Sequence, residues 1–346
     1  PQLQAFEGEP FHARVHRMAF YLQDEWEIGP QWSTYLGARV ETLKTFSDSS
    51  GSRMQAHSRV LTPVLHLNYK FDPKGRDMVR ASLTRAYRAP DLQSLMARPS
   101  INSSYPVNGP NPENAPDRVG NPLLRPELST GLDVAFERYF AGGGVMSLGL
   151  FHKRIDGLIR QAVTLDTVPW ASVPRWVSHP VNLSGARSTG VEFEIKGRAI
   201  DLMPALVSSD QVQVRASLSA YRSRVADLPA PYNRLEQQQP WSLTLGFDDK
   251  RLAGKLGFGA SLAYTPGYTT QQTVAQTQAL NRSRTLDLYA SWTFSREALL
   301  RLSVNNWQAL DVVSFTRTQE TAGALLSNRN ERHGRAFWNA GLSLKF

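Results

Sequence analysis

Hydrophobic and polar residues alternate along most of this chain. In residues 285–294, Leu286, Leu288, Ala290, Trp292 and Phe294 interleave with Thr285, Asp287, Tyr289, Ser291 and Thr293. Residues 211–221 set Val212, Val214, Ala216, Leu218 and Ala220 against Gln, Arg, Ser and Tyr, and residues 338–346 set Trp338, Ala340, Leu342, Leu344 and Phe346 against Asn339, Gly341, Ser343 and Lys345. A period of two places one set on each face of a β-strand. The pattern predicts about 13 such strands, near 11–27, 31–45, 55–71, 77–87, 127–140, 145–165, 177–198, 209–223, 239–250, 253–267, 283–296, 299–313 and 335–346. Helical periodicity is nearly absent.

These runs exceed the roughly 5–6 residues usual in soluble sheets and suit tilted membrane strands of about 9–11 residues with extensions. Their connections alternate in length. Short ones fall at Gly29-Pro30, Asp72-Pro73-Lys74-Gly75, Ala141-Gly142-Gly143-Gly144, Asp249-Lys250-Arg251 and Ser295-Arg296-Glu297, with a slightly longer one at 199–208. Long polar ones cover 46–54, 88–126, 166–176, 224–238, 268–282 and 314–334. Tight turns on one side and long loops on the other are the asymmetry of outer-membrane barrels. Trp32, Tyr69, Phe71, Tyr139, Phe140, Trp241, Phe294, Trp338 and Phe346 are assigned to the tight-turn ends, as an interfacial girdle.

Composition narrows the choice. The 346 residues contain no cysteine, so disulfides and thiolate metal sites are excluded. No apolar run approaches the roughly 18 residues of a transmembrane helix. Mean hydropathy is −0.36, a value that alternating strands produce even inside a membrane. The net charge of +9 is dispersed, which favours anionic partners without naming one. The first ten residues, PQLQAFEGEP, show no export signal. Walker, HExxH and GxSxG motifs are missing, and Gly257-x-Gly259 sits within a strand, where it relieves packing. His12 and His16 share a strand face but lie roughly 13 Å apart, too far for one metal. The expectation is a non-enzyme with no cofactor and no metal.

Several segments resemble the C-terminal barrel half of TonB-dependent outer-membrane receptors. Residues 19–41 resemble that family's paired strands around a Gly-Pro turn, and residues 81–90, ASLTRAYRAP, its strand ending on an Arg-Ala-Pro shoulder. Residues 120–131, GNPLLRPELSTG, and 182–194, NLSGARSTGVEFE, continue the likeness. Asn339-x-Gly341-x-x-Leu344-x-Phe346 resembles the terminal signal that the barrel-insertion machinery reads. Physical reasons accompany these segments. Pro90 removes a ladder donor and restricts Ala89, so the strand should end there. Leu128, Leu132, Val134 and Phe136 take up a lipid-facing alternation, and Gly190 leaves a place for a neighbouring group on the polar side.

The resemblance implies an all-β fold, an antiparallel transmembrane β-barrel of which this chain holds about 13 of about 22 strands, with the plug domain missing. The expectation is a fragment or truncated product forming an open half-barrel with two unsatisfied edges. It further implies an integral protein of the bacterial outer membrane, in contact with lipid and lipopolysaccharide and acting through the TonB complex by way of the missing N-terminal part. Its task would be active uptake of a scarce nutrient, a ferric siderophore foremost, with cobalamin, haem, copper or saccharide as alternatives and no nucleic acid. Basic and aromatic loop residues are then the ligand candidates: Arg85, Arg88, Tyr105, Arg118, Arg125, Trp170, Arg175, Trp176, Tyr232, Arg234 and Tyr268. Two competing readings are a complete small barrel with a structural or enzymatic role and a soluble antiparallel domain with a basic face. They differ in whether the apolar faces look outward or meet one another.

Overall fold

A computed structural model describes residues 3–5, 11–49, 52–72, 74–205, 209–252, 254–295, 298–321 and 323–344. After the short β1 (Leu3–Ala5), long strands follow as β2 (Phe11–Ile28), β3 (Trp32–Ser49), β4 (Ser52–Lys70) and β5 (Asp77–Arg88). A long connection carries α1 (Leu92–Leu95), β6 (Ser100–Asn102) and β7 (Asp117–Arg118) before β8 (Glu127–Tyr139) and β9 (Val145–Asp156). A hairpin of β10 (Ile159–Asp166) and β11 (Arg175–Asn182) precedes β12 (Gly185–Arg198), α2 (Ala199–Leu202), β13 (Val212–Val225), β14 (Trp241–Arg251) and β15 (Leu256–Thr265). Then come β16 (Tyr268–Gln271), β17 (Gln276–Leu280), β18 (Ser283–Thr293), β19 (Ala298–Asn305), β20 (Val312–Gln319), β21 (Leu325–Arg332) and β22 (Phe337–Leu344).

Thirteen of these form one sheet in the order β2-β3-β4-β5-β8-β9-β12-β13-β14-β15-β18-β19-β22. Every pairing in it is antiparallel. The remaining strands make two smaller sheets, β1-β6-β7-β11-β10 and β16-β17-β20-β21, built from the long connections.

Register keeps the two faces of the large sheet chemically distinct across its middle rows. One row runs Val79, Phe136, Leu148, Phe193, Leu218, Leu243 and Tyr264 across seven neighbouring strands. Another runs Val214, Phe247, Ala260, Leu288, Val304 and Trp338. On the opposite face Ser147, Glu194, Ser217 and Thr244 stand side by side. Among the described residues no second sheet covers the apolar rows. Phe20 is 71% and Leu22 81% exposed. The total accessible surface is 21547 Å², against about 14,000 Å² for a compact soluble monomer of this mass. A layer one strand thick, with bare leucines and phenylalanines on one side, suits hydrocarbon. The soluble-domain reading required those faces to meet across a dry interior, and they do not.

Among the described residues the sheet is not closed: β2 and β22 each pair on one side only, and β22 is exposed at every position. Hydrocarbon leaves such N–H and C=O groups without partners, so both edges require further strands in a membrane.

The alternation misplaced several boundaries. The strand expected over 145–165 breaks at Gly157, which has φ 68°, so β10 leaves the large sheet and pairs with β11. The strand expected over 177–198 breaks at Leu183, whose N–H donates to Leu158 O at 2.8 Å and closes that hairpin. The run expected over 299–313 ends at Asn305, followed by Asn306 and Gln308 at φ 56° and 50°. The segment 253–267 yields β15, and β16 starts afresh at Tyr268. Hairpins in the small sheets are half-buried too, so their alternation looks the same. The girdle assignment also needs correction. Trp241 opens β14 after a long connection, and Trp338 stands opposite Val304 near the start of β22, so both mark the long-loop end. Phe346 lies outside the described residues.

Leu218 and Ser217 are neighbours in sequence and opposites in environment. Leu218→Arg should destabilise the folded protein by roughly 1–3 kcal/mol, between the values for a cation at the bilayer midplane and at its edge, while Ser217→Arg should change it by less than about 1 kcal/mol. Denaturant titration in phospholipid vesicles checks this, and equal losses would refute the assignment of faces.

Candidate functional site

The polar face carries a wall of neutralised charges. Glu41, 2% exposed, receives Arg17 Nε at 2.9 Å and Arg39 at 2.8 Å, and accepts a hydrogen bond from the Tyr87 hydroxyl. Farther round the sheet Arg215 donates to Asp248 at 2.8 Å, the Tyr289 hydroxyl donates to the same carboxylate at 2.6 Å, and the Arg301 guanidinium lies 4.3 Å from the Tyr289 ring. Glycine makes room for these groups. A Cβ on Gly259 would sit 2.6 Å from the Tyr289 ring, and one on Gly190 would sit 2.5 Å from Phe151 and 2.7 Å from Tyr221. Gly190 therefore holds the crowded polar-side position that its sequence context predicted. A face of this kind suits a wet passage.

The long connections gather at one end of the sheet as a mouth. Its firmest part is an ion pair between Asp117 and Arg175, both with wholly inaccessible side chains. Arg175 donates from Nε and Nη2 to the two Asp117 oxygens at 2.6 and 2.9 Å, and from Nη1 to the carbonyls of Pro106 and Gly109 at 2.9 and 2.6 Å. The Trp170 indole N–H and the Asn102 amide N–H also donate to Asp117, each at 2.9 Å. Burial pushes the Asp117 carboxyl up, but the hydrogen bonds from Arg175, Asn102 and Trp170 and the Arg175 charge outweigh it and hold the carboxyl below its ordinary range. Arg175 thus has no surface to offer a ligand. It ties the segment around Tyr105 to β7 and β11, and Trp176 joins through Asn111, which accepts its N–H at 2.8 Å.

The other candidates fall into two groups. Tyr232 and Arg234 come against Tyr268: Gln271 N–H donates to the Tyr232 carbonyl at 2.8 Å, and Arg234 donates to the Tyr221 carbonyl at 3.1 Å. Burial raises the Tyr268 hydroxyl pKa and lowers that of Arg234. The second group includes Arg88, 80% exposed and 3.8 Å from Glu127. Beside it stands Arg160, a residue that strand alternation gave no reason to select, paired with Glu236 at 2.8 Å. Arg85, three residues before the end of β5, is half-buried, with its Nε unpartnered. Arg118 and Arg125 are exposed, and Asn182 clasps the Arg125 backbone from both sides at 2.9 Å. Arg85, Arg88, Arg118, Arg125 and Tyr232 therefore keep free surface. On β22, Leu344 shares the apolar face while Asn339 and Gly341 share the polar one.

Among the described residues, the side chains that could converge on a metal are Asp311, Glu331 and His333, all exposed. His333 Nδ1 lies 3.3 Å from Asp311, Gly334 N–H donates to Asp311 at 3.0 Å, and Arg329 pairs with Glu331 at 2.7 Å. These bonds account for the group without an ion.

Residues 6–306 match the family described as TonB dependent receptor-like, beta-barrel. A search of the curated proteins finds no match. Among solved structures, the chain is similar to a copper transporter, OprC, at 13% identity and TM-score 0.65, over 96% of this chain and 50% of that one. It is also similar to the FrpB iron transporter of Neisseria meningitidis, at 13% identity and TM-score 0.63, over 96% and 46%. A third likeness is to a mutant of the ferric enterobactin receptor PfeA of Pseudomonas aeruginosa, at 15% identity and TM-score 0.59, over 96% and 54%. The chain thus spans about half the length of these structures, and at such identity the likeness is one of fold.

Arg175→Ala would strand a buried carboxylate, a change that typically costs roughly 3–5 kcal/mol. Hydrogen exchange across residues 100–118 should accelerate at least tenfold while exchange in the large sheet stays unchanged. The pH dependence has a definite sign. A carboxyl with a depressed folded pKa contributes fully above its unfolded value, 3.8, and loses that contribution as pH falls through the lower folded value. Protection of 100–118 in the unmodified protein should therefore fall below about pH 4. Protection that persists through acidification would remove the ion pair from this role.

Proposed function

The chain belongs to the TonB-dependent receptor β-barrel family, and on that premise we propose that it forms part of an integral outer-membrane receptor that takes up a ferric siderophore with energy delivered through the TonB complex. The family is one of transport receptors rather than enzymes. The observation that carries the reading is the pairing of a neutralised polar wall with a mouth built from two loop sheets that present arginine and tyrosine. An anionic, aromatic iron chelate would find cations for its charge and rings for its faces there. Arg85, Arg88, Arg118, Arg125 and Tyr232 are the contacts we assign. Arg175 and Trp170 act one step back, by fixing the segments that carry them.

The open edges fit this reading, since strands outside this chain would complete the wall and a plug would close it. The fold neighbours titled as iron and ferric enterobactin proteins support a siderophore. The one titled a copper transporter keeps copper as the second substrate to test.

A strain lacking the receptor, supplied with a panel of ferric siderophores and with copper, should lose growth or uptake on one ferric siderophore. Unimpaired use of every iron source would reject the assignment, and loss confined to copper would replace it. In the receptor, joint replacement of Arg85, Arg88 and Arg125 by Ala should weaken binding of the anionic chelate at least tenfold, about 1.4 kcal/mol. Unchanged affinity would strike these residues from the contact set.

A further inference from the structure

The outward face of the large sheet changes character abruptly at the long-loop end of β9, β12 and β13. Its last apolar row there reads Val134, Leu150, Val191 and Ala220 and ends at Trp241. The Trp241 ring lies 5.3 Å from Tyr264, the pairing expected where hydrocarbon gives way to headgroups. Two residues farther along each strand, on the same face, the row is His152, Thr189 and Arg222, and two farther again it is Arg154, Arg187 and Arg224. Adjacent strands lie about 4.8 Å apart and the step between rows is about 6.6 Å. Four guanidiniums and an imidazole therefore share a small patch directly above the apolar band.

This patch is under-neutralised, unlike the polar face. Arg187 stands opposite Arg154 on one side and Arg224 on the other, and like charges facing each other across a ladder destabilise it. Among the described residues only Arg154 has an acidic partner, Asp156 at 3.0 Å. The nearby Asp227 is engaged by the Ser184 hydroxyl at 2.7 Å, and His152 Nδ1 is 2.8 Å from the Thr189 hydroxyl. Arg187, Arg222 and Arg224 are exposed and have no ion pair or hydrogen bond among the described residues. Ala230, Pro231 and Asn233 rise beside Arg187, Arg222 and Arg224 and make the patch a groove. The inner side at this height is filled by Leu158, Ala186, Val225 and Leu228, so these arginines are directed away from the passage. β9, β12 and β13 lie in the middle of the sheet, so whatever pairs with its edges leaves this face uncovered.

We propose that Arg154, Arg187, Arg222 and Arg224 bind the phosphate groups of an anionic glycolipid headgroup in the outer leaflet, with the lipid's acyl chains lying down the apolar rows beneath. The inference rests on the membrane placement in the proposed function but not on the transported substrate. Height selects the ligand. A guanidinium cluster one or two rows above the hydrocarbon boundary meets a headgroup phosphate, and bidentate Arg–phosphate pairing would relieve the repulsion along the row.

Purified receptor in neutral detergent, titrated with bis-phosphorylated lipid A, should bind it with an affinity that falls as salt rises. R187A alone should weaken binding about fivefold, and R154A/R187A/R224A at least thirtyfold. K255A, which removes a cation near the tight-turn end, should leave binding unchanged. Lysine at all three positions should bind more tightly than the triple alanine variant but less tightly than the unmodified protein, since it restores the charge without the bidentate fork, and this separates loss of charge from loss of fold. Equal binding by the triple alanine variant with native sheet content, or equal binding of lipid A stripped of phosphate, would overturn the proposal. So would inorganic phosphate competing at the same concentration as the lipid, since the site would then be one for free anions. Failure of the protein to fractionate with the outer membrane would instead defeat the functional reading beneath it.

Discussion

Hydrocarbon offers a peptide group nothing to bond with, and the large sheet answers that constraint. Each interior strand is flanked on both sides by an antiparallel hydrogen-bonded neighbour, from β2 to β22 without a crossover. Side-chain direction has a period of two, so a slip of one residue anywhere would turn a strand's leucines toward the polar face. No such slip occurs along the row from Val79 to Tyr264. Burial in a protein core does not explain the exposed leucines. The continuous ladder does, by assigning every second residue to lipid.

The polar face meets a different demand. Its charged groups stand close together on a pleated wall and are compensated locally, Glu41 by Arg17 and Arg39 and Asp248 by Arg215. Large groups such as Phe151, Tyr221 and Tyr289 fit because glycine occupies the facing positions. The wall is therefore polar but not strongly charged of either sign. The outward arginine rows lack this compensation, and that contrast separates a structural charge from one waiting for a partner.

At the mouth, stability and display are divided among residues of the same type. Arg175 is spent on Asp117 and two carbonyls, so it organises the loop, while Arg88 and Arg118 a short distance away remain in solvent. Trp170 likewise commits its indole N–H to Asp117. A loop of nearly forty residues between β5 and β8 holds its shape through one buried ion pair and a few side-chain clasps, such as Asn182 on Arg125, together with the buried side chains of Leu95, Ile101 and Leu124.

Alternation, strand length and the spacing of Gly and Pro are local properties, and they sufficed for the all-β class, the strand number of the large sheet, its two chemically distinct faces and the crowded position at Gly190. The terminal motif and the Arg-Ala-Pro shoulder pointed to the family. Partnership is non-local, and there the local pattern failed. A half-buried hairpin such as β10 and β11 alternates just as a membrane strand does, so the chain's departure at Gly157 could not be read. Trp241 and Trp338 were assigned to the wrong end because which end of a strand a residue occupies depends on where the preceding loop returns. Arg175 looked like any other loop cation until tertiary contacts with Asp117, 58 residues earlier, enclosed it. Arg154, Arg187 and Arg224 lie far apart in sequence, and only the register of three strands makes them neighbours.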